Sequence, residues 1–179
     1  LAAQTTAVTV TDTNDQTPAV SVASTYSHAE AAATTFQTYT ITDSDTSGTY
    51  TCTLGGDDAA DFTASISGKV CTVVWAAAPN YESPADTDTD NVYDITIAFS
   101  DGTNDLAAQT TAVTVTDTND QTPSVSVSST YTQAEAASTT WQTFTITDSD
   151  TSGTYTCTLG GDDAADFSAS ISGKVCTVV

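Results

Sequence analysis

The segment AVTVTDTNDQTP fills residues 112–123, and the same twelve residues stand at 7–18. Its first part, Ala112-Val-Thr-Val-Thr116, alternates apolar and polar β-branched residues with the period of a half-buried strand. Its second part gathers Asp117, Asn119 and Asp120 just before Pro123. A turn needs one such oxygen-bearing side chain. Three in four positions, in both copies, point to a further task.

Outward from this segment the two copies belong to a long internal repeat. Residues 1–74 align with 106–179 at a spacing of 105 and differ at eight positions: Ala19/Ser124, Ala23/Ser128, Ser27/Thr132, His28/Gln133, Ala33/Ser138, Phe36/Trp141, Tyr39/Phe144 and Thr63/Ser168. No acidic residue and no cysteine is altered, and the two aromatic exchanges keep an aromatic ring. A period of this length suits one β-sandwich domain rather than a turn of a solenoid. Period-two alternation recurs at Val20-Ser-Val22, Phe36–Ile41 and Tyr93–Phe99, and Ser67-Gly-Lys69 reads as a hairpin turn between Ala64–Ile66 and Val70–Val74. Ala29-Glu-Ala-Ala-Ala33 has helix-forming residues but threonine-rich flanks, and reads as strand or loop. The expected fold class is all-β, as tandem sandwiches. Residues 1–17 are read as the last strand and linker of a preceding repeat, 18–122 as a complete repeat, and 123–179 as the first half of the next. Trp75–Asp105 has no second copy, so this phasing predicts a parent chain that continues in both directions.

Charge narrows the partners. The formal net charge is −21, with 23 acidic residues against two basic ones, Lys69 and Lys174. No basic patch can be built from two lysines, which excludes nucleic acid and docking on an anionic membrane surface. No apolar run approaches the roughly 18 residues of a membrane span, so no membrane insertion is expected in this segment. Such an excess of carboxylates repels itself unless cations gather it. The hydrophobic fraction is 39% and falls in short regular runs, so the chain is read as folded rather than disordered.

The cysteines form two pairs of equal spacing, Cys52 with Cys71 and Cys157 with Cys176. Neither pair has the spacing of a zinc site. One disulfide in each pair is the favoured reading and implies an oxidising, extracellular compartment, with two buried free thiols as the alternative. His28 is the lone histidine, and the second copy has Gln133 in its place. No nucleophile–base set can be built on it, and the chain is read as a non-enzyme.

The acidic residues cluster in Thr42-Asp-Ser-Asp45, Gly56-Asp-Asp58, Tyr81-Glu-Ser83, Asp86-Thr-Asp-Thr-Asp90 and Ser100-Asp-Gly102, mostly just after strand-like runs. In a sandwich those positions meet at the two poles. Carboxylates in contact disfavour one another, whereas a hard cation takes six to eight oxygen ligands. Calcium between consecutive domains would resolve the conflict. Asp57-Asp58 reads as a turn. Asp86, Asp88 and Asp90 have the 1, 3, 5 spacing of an EF-hand loop but lack its glycine, and Ile97 stands where the bidentate glutamate belongs. A loop-bound calcium and a solvated acidic loop both remain open there.

In order along the chain, Gly55-Gly-Asp-Asp-Ala-Ala-Asp-Phe62, Ser67-Gly-Lys-Val70, Pro79-Asn-Tyr-Glu82, Asn91-Val-Tyr93, Asp101-Gly102 and Asp117-Thr-Asn-Asp-Gln-Thr-Pro123 resemble a cadherin or prokaryotic cadherin-like repeat. The resemblance implies tandem seven-stranded Greek-key sandwiches, immunoglobulin-like in architecture, with about three calcium ions in each junction between domains. Carried over by position, it makes Glu30 and Glu82 ligands from one domain. From the linker it takes Asp117, the Thr118 and Asn119 carbonyls and Asp120, and from the following domain Asp148 and Asp150. Asn80 replaces the aspartate that the family places two residues before Glu82, which removes one carboxylate. The junction near Pro18 would use Asp12, Asp15, Asp43, Asp45 and Asp101. The expected role is a calcium-rigidified extracellular segment, a spacer or stalk of a large cell-surface adhesin whose partners are neighbouring repeats. The alternatives are a self-assembling filament or surface layer with lateral homo-assembly and, less well supported, homophilic cell–cell adhesion.

Overall fold

A computed structural model of the chain describes residues 1–135 and 139–179. Position 138, one of the eight that differ between the copies, lies outside the described residues. The backbone divides into two compact units, Leu1–Thr116 and Asp117–Val179. Among the described residues the regular elements are strands and two short 3-10 turns, and no helix is long and apolar enough to cross a membrane.

The first unit carries seven strands: β1 Thr25–Ala29, β2 Thr35–Thr40, β3 Thr51–Gly55, β4 Phe62–Ser67, β5 Val70–Trp75, β6 Val92–Ser100 and β7 Asp105–Thr116. They form two sheets, ordered β1-β7-β6-β3 and β2-β5-β4. The chain changes sheet between β1 and β2, β2 and β3, β3 and β4, and β5 and β6, which is a Greek-key sandwich. Strand β1 runs parallel to β7, with Thr25 opposite Ala112 and Ala29 opposite Thr116. Residues 20–22, expected as a strand, are not one: a single bridge joins Ala19 to Thr42 beside β2. From there the chain crosses to the other sheet, and Val20 and Val22 still pack on the core. The expected hairpin joins β4 and β5, turning at Gly68, whose φ of +57° suits a residue without Cβ. The stretch 29–33 ends β1 at Ala29 and continues as a turn, with Ala31 at φ +52°.

Period-two alternation decides what is inside. Ile95, Ile97 and Phe99 from β6, Val113 and Val115 from β7, and Cys71, Val73 and Trp75 from β5 are buried together with Tyr39, Ile41, Phe62 and Tyr93. Phe62, Trp75 and Tyr93 form an aromatic group, with Trp75 4.2 Å from Phe62 and 4.9 Å from Tyr93 between ring centroids. The Cys52–Cys71 disulfide ties β3 of one sheet to β5 of the other, with Cα atoms 6.1 Å apart. The two sheets are thus covalently linked as well as packed on one core.

Among the described residues of the second unit the strands form one sheet, ordered β10-β11-β9-β8, from β8 Ser124–Val125, β9 Gln142–Thr147, β10 Ala169–Ser172 and β11 Val175–Val178. The Cys157–Cys176 disulfide is formed here too. Its apolar face borders a cavity of about 380 Å³ lined by residues such as Val127, Trp141, Phe144 and Val178.

Candidate metal centre

In the first unit the stretch 12–16 lies against the loop after β2 and the loop after β6. Asp12 Oδ2 accepts hydrogen bonds from the Thr46 N–H at 2.7 Å and its hydroxyl at 2.8 Å, which holds the carboxyl below its usual range. The Gln16 N–H donates to Asp45 Oδ2 at 2.7 Å. The Asn14 amide donates to the Asp101 carbonyl at 3.3 Å, and the Asn104 amide donates to the Gln16 carbonyl at 3.0 Å. Asp43, Asp45 and Asp101 each offer a carboxylate oxygen within 4.8 Å of the others. Asp45 and Asp101 are 4% and 1% exposed. Burial pushes the Asp101 carboxyl up, but the N–H groups of Asn104 and Thr103 and the side chains of Asn104 and Asn14 outweigh it and hold it at about 2. Asp101 is thus charged and buried. Asp15 stays exposed, with Gln16 donating to its Oδ1 at 2.8 Å.

The second unit repeats this construction. Asp117 Oδ2 accepts from the Thr151 and Ser152 N–H groups at 2.8 and 2.9 Å and from the Thr151 hydroxyl. That hydroxyl is the main reason its carboxyl is lowered. The Gln121 N–H donates to Asp150 Oδ2 at 2.9 Å. With its nitrogen facing them, the Asn119 amide donates to Asp150 Oδ2 at 2.9 Å and to the Ser152 carbonyl at 3.2 Å. Asp120 and Asp150 each offer an oxygen within 4.8 Å of the other. Asp150 is fully buried, yet its Oδ1 has no hydrogen-bond donor. A buried acceptor without a donor is costly unless a cation meets it.

The lysines, whose role the sequence did not reveal, serve both loops in the same way. Lys69 Nζ donates to the Asp43 and Asp45 carbonyls at 2.8 and 3.2 Å, and Lys174 Nζ to those of Asp148 and Asp150 at 2.7 and 3.0 Å. They shape the loops by their backbones and leave the carboxylates to face elsewhere. Tyr50 and Tyr155 each donate to the first aspartate, Asp43 or Asp148, at 3.0 Å. The available signal was the placement of each cation at the same point of the repeat.

At the other pole of the first unit, Glu30 follows β1 and its N–H donates to the Thr116 carbonyl at 3.1 Å. Glu30 is 3% exposed, and its Oε2 accepts the Tyr81 N–H at 2.7 Å. That bond brings it to the loop of Glu82, and the two glutamates offer oxygens within 4.8 Å of each other. Asn80 caps this turn, accepting the Ser83 N–H at 2.8 Å. Asp57 and Asp58 lie in the expected turn, and Asp58 is also a buried anchor: its two oxygens accept the Thr87 N–H at 2.8 Å and the Asp94 N–H at 2.7 Å. His28 is a packing residue, its ring 5.5 Å from that of Trp75.

Searches with the sequence against family models and curated proteins return no match. Solved structures do match. The chain is similar to protocadherin gamma B7 extracellular cadherin domains 1–4 (TM-score 0.65, 20% identity, covering 93% of this chain and 41% of that one). It is also similar to protocadherin gamma B2 domains 1–5 (0.60, 20%, 94% and 33%) and to human CDH23 EC21-23 (0.59, 23%, 85% and 53%). The chain thus spans about a third to a half of those chains. At this identity the likeness establishes the fold: the chain is an all-β, cadherin-like sandwich.

Proposed function

We propose that the chain is a calcium-stiffened segment of an extracellular protein made of tandem cadherin-like repeats, serving as a spacer in a surface adhesin. In this reading 18–122 is the repeat, and the linker holds the joint between neighbours. Asp117, the Thr118 and Asn119 carbonyls, Asp120, Asp148 and Asp150 would bind calcium together with Glu30 and Glu82. Asp12, Asp15, Asp43, Asp45 and Asp101 would do the same one repeat earlier. The observation that carries the reading is the buried Asp150, whose Oδ1 lacks a donor while the linker amide of Gln121 occupies Oδ2. Such an oxygen suits a hard cation, and the all-oxygen donor set suits calcium.

Calcium would neutralise the carboxylates, and these residues would fix the linker by gripping it at Asp117 and Asp150. Binding to the folded state alone adds about 2.7 kcal/mol at a ligand concentration one hundred times Kd. Replacing Asp117 and Asp120 by Ala should therefore abolish most of the calcium-dependent rise in melting temperature. An unchanged rise in the double variant would reject the ligand assignment. Ordered lateral assembly in calcium would favour a filament or surface layer over a spacer.

A further inference from the structure

The loop 86–91 between β5 and β6 stands outside the linker residues and outside the Glu30–Glu82 pair. Asp86, Asp88 and Asp90 each offer a carboxylate oxygen within 4.8 Å of the others. Asp88 and Asp90 are exposed, but Asp86 is 3% exposed. Asp86 Oδ2 accepts the Asp90 N–H at 2.7 Å, while its Oδ1 is buried and receives no hydrogen bond. A buried oxygen left without a donor is costly unless a cation meets it. Neither lysine serves it, since Lys69 and Lys174 bind the loops after β2 and β9.

The loop is braced for a ligand. Asp58 grips it at Thr87, the Asn91 amide donates to the Tyr81 carbonyl at 3.0 Å, and Asp90 Oδ1 accepts the Val92 N–H at 2.8 Å. Those bonds leave Asp86 Oδ1, both Asp88 oxygens and Asp90 Oδ2 outside the hydrogen bonds that hold the loop. The site is not an EF-hand, because Ile97 is fully buried in β6 and cannot supply a ligand. Two of its three carboxylates are exposed, so water can fill the remaining positions around the ion.

We propose that Asp86, Asp88 and Asp90 form a calcium site inside a single domain, independent of any junction. Calcium fits better than magnesium because it accepts irregular sets of six to eight oxygens, whereas magnesium demands a near-ideal octahedron. The site should occur once in this chain, because 75–105 has no second copy.

Calorimetric titration of the 179-residue chain with calcium tests this, comparing wild type with Asp88→Asn/Asp90→Asn and with Asp117→Asn/Asp120→Asn. The exposed positions of Asp88 and Asp90 favour correct folding, which circular dichroism checks. The first variant should bind one calcium fewer per chain, and tyrosine-sensitised terbium emission from Tyr93, whose hydroxyl accepts the Ala85 N–H at 3.0 Å, should fall with it. The second variant should keep that emission. Unchanged stoichiometry in the first variant would overturn this site while leaving the junction proposal standing. A loss confined to the first variant would support this site and count against the junction.

Discussion

The second unit nearly repeats residues 12–74 of the first, yet the two stretches make different structures. In the first, Thr51–Gly55 is a strand paired with β6; in the second, the identical residues 156–160 form none. Thr25–Ala29 pairs with β7, whereas its counterpart at 130–134 forms no strand. Residues 106–116 lie in a strand, and the identical 1–11 do not. In each case the strand exists where its partner does. Strand propensity here is a fit to a pleated, half-buried neighbour rather than a property of the segment. The acidic loops behave oppositely. Asp45 with Gln16 and Asp150 with Gln121, and likewise each lysine and each tyrosine, keep their partners in both units. The bonds between the linker and the Asp-Ser-Asp loop are encoded locally, whereas the core and the contribution of Asp101 depend on the strands that close the first unit.

Side-chain truncation should expose the difference most strongly. Phe62 is 4% exposed and its counterpart Phe167 is 43% exposed. Phe62→Ala should cost about 3 kcal/mol or more by leaving a cavity in the closed core, and Phe167→Ala less than about 1 kcal/mol. Urea unfolding followed by Trp75 fluorescence for the first unit and Trp141 fluorescence for the second measures both. Equal costs would mean that the second unit has an apolar core as closed as the first.

A smaller contrast sits at the glycine after each β3-like segment. A Cβ on Gly56, at φ +97°, would lie 2.6 Å from the Asp94 carbonyl oxygen and 2.8 Å from Ile95 Cα. On Gly161, at φ +105°, it would meet nothing within 4 Å. Gly56→Ala should cost about 2–3 kcal/mol, combining backbone strain with displacement of β6, and Gly161→Ala about 1 kcal/mol from strain alone. The same unfolding curves separate the two, and equal losses would show that β6 yields to the added methyl group.

Much of this was legible in the sequence. Alternation at 93–99 and 112–116 marked strands whose inward residues are in the core, and Ser67-Gly-Lys69 marked the hairpin between 64–66 and 70–74. Other features were not legible because they depend on atoms brought from far along the chain. Val20 and Val22 alternate like a strand, but the chain there is passing from one sheet to the other. Asp58 and Asp86 look like their exposed acidic neighbours, and only burial by β6 and its preceding loop singles them out. Asp15 carries the same motif as Asp12, yet the fold gives it no partner beyond Gln16.

The role proposed for calcium is to stiffen the joint between repeats. Small-angle scattering of the chain in millimolar calcium and in EGTA tests it directly. The account predicts a longer maximum dimension and a narrower distribution of shapes in calcium, both lost on Asp117→Ala/Asp120→Ala. Identical scattering in calcium and EGTA, at an unchanged melting temperature, would contradict it.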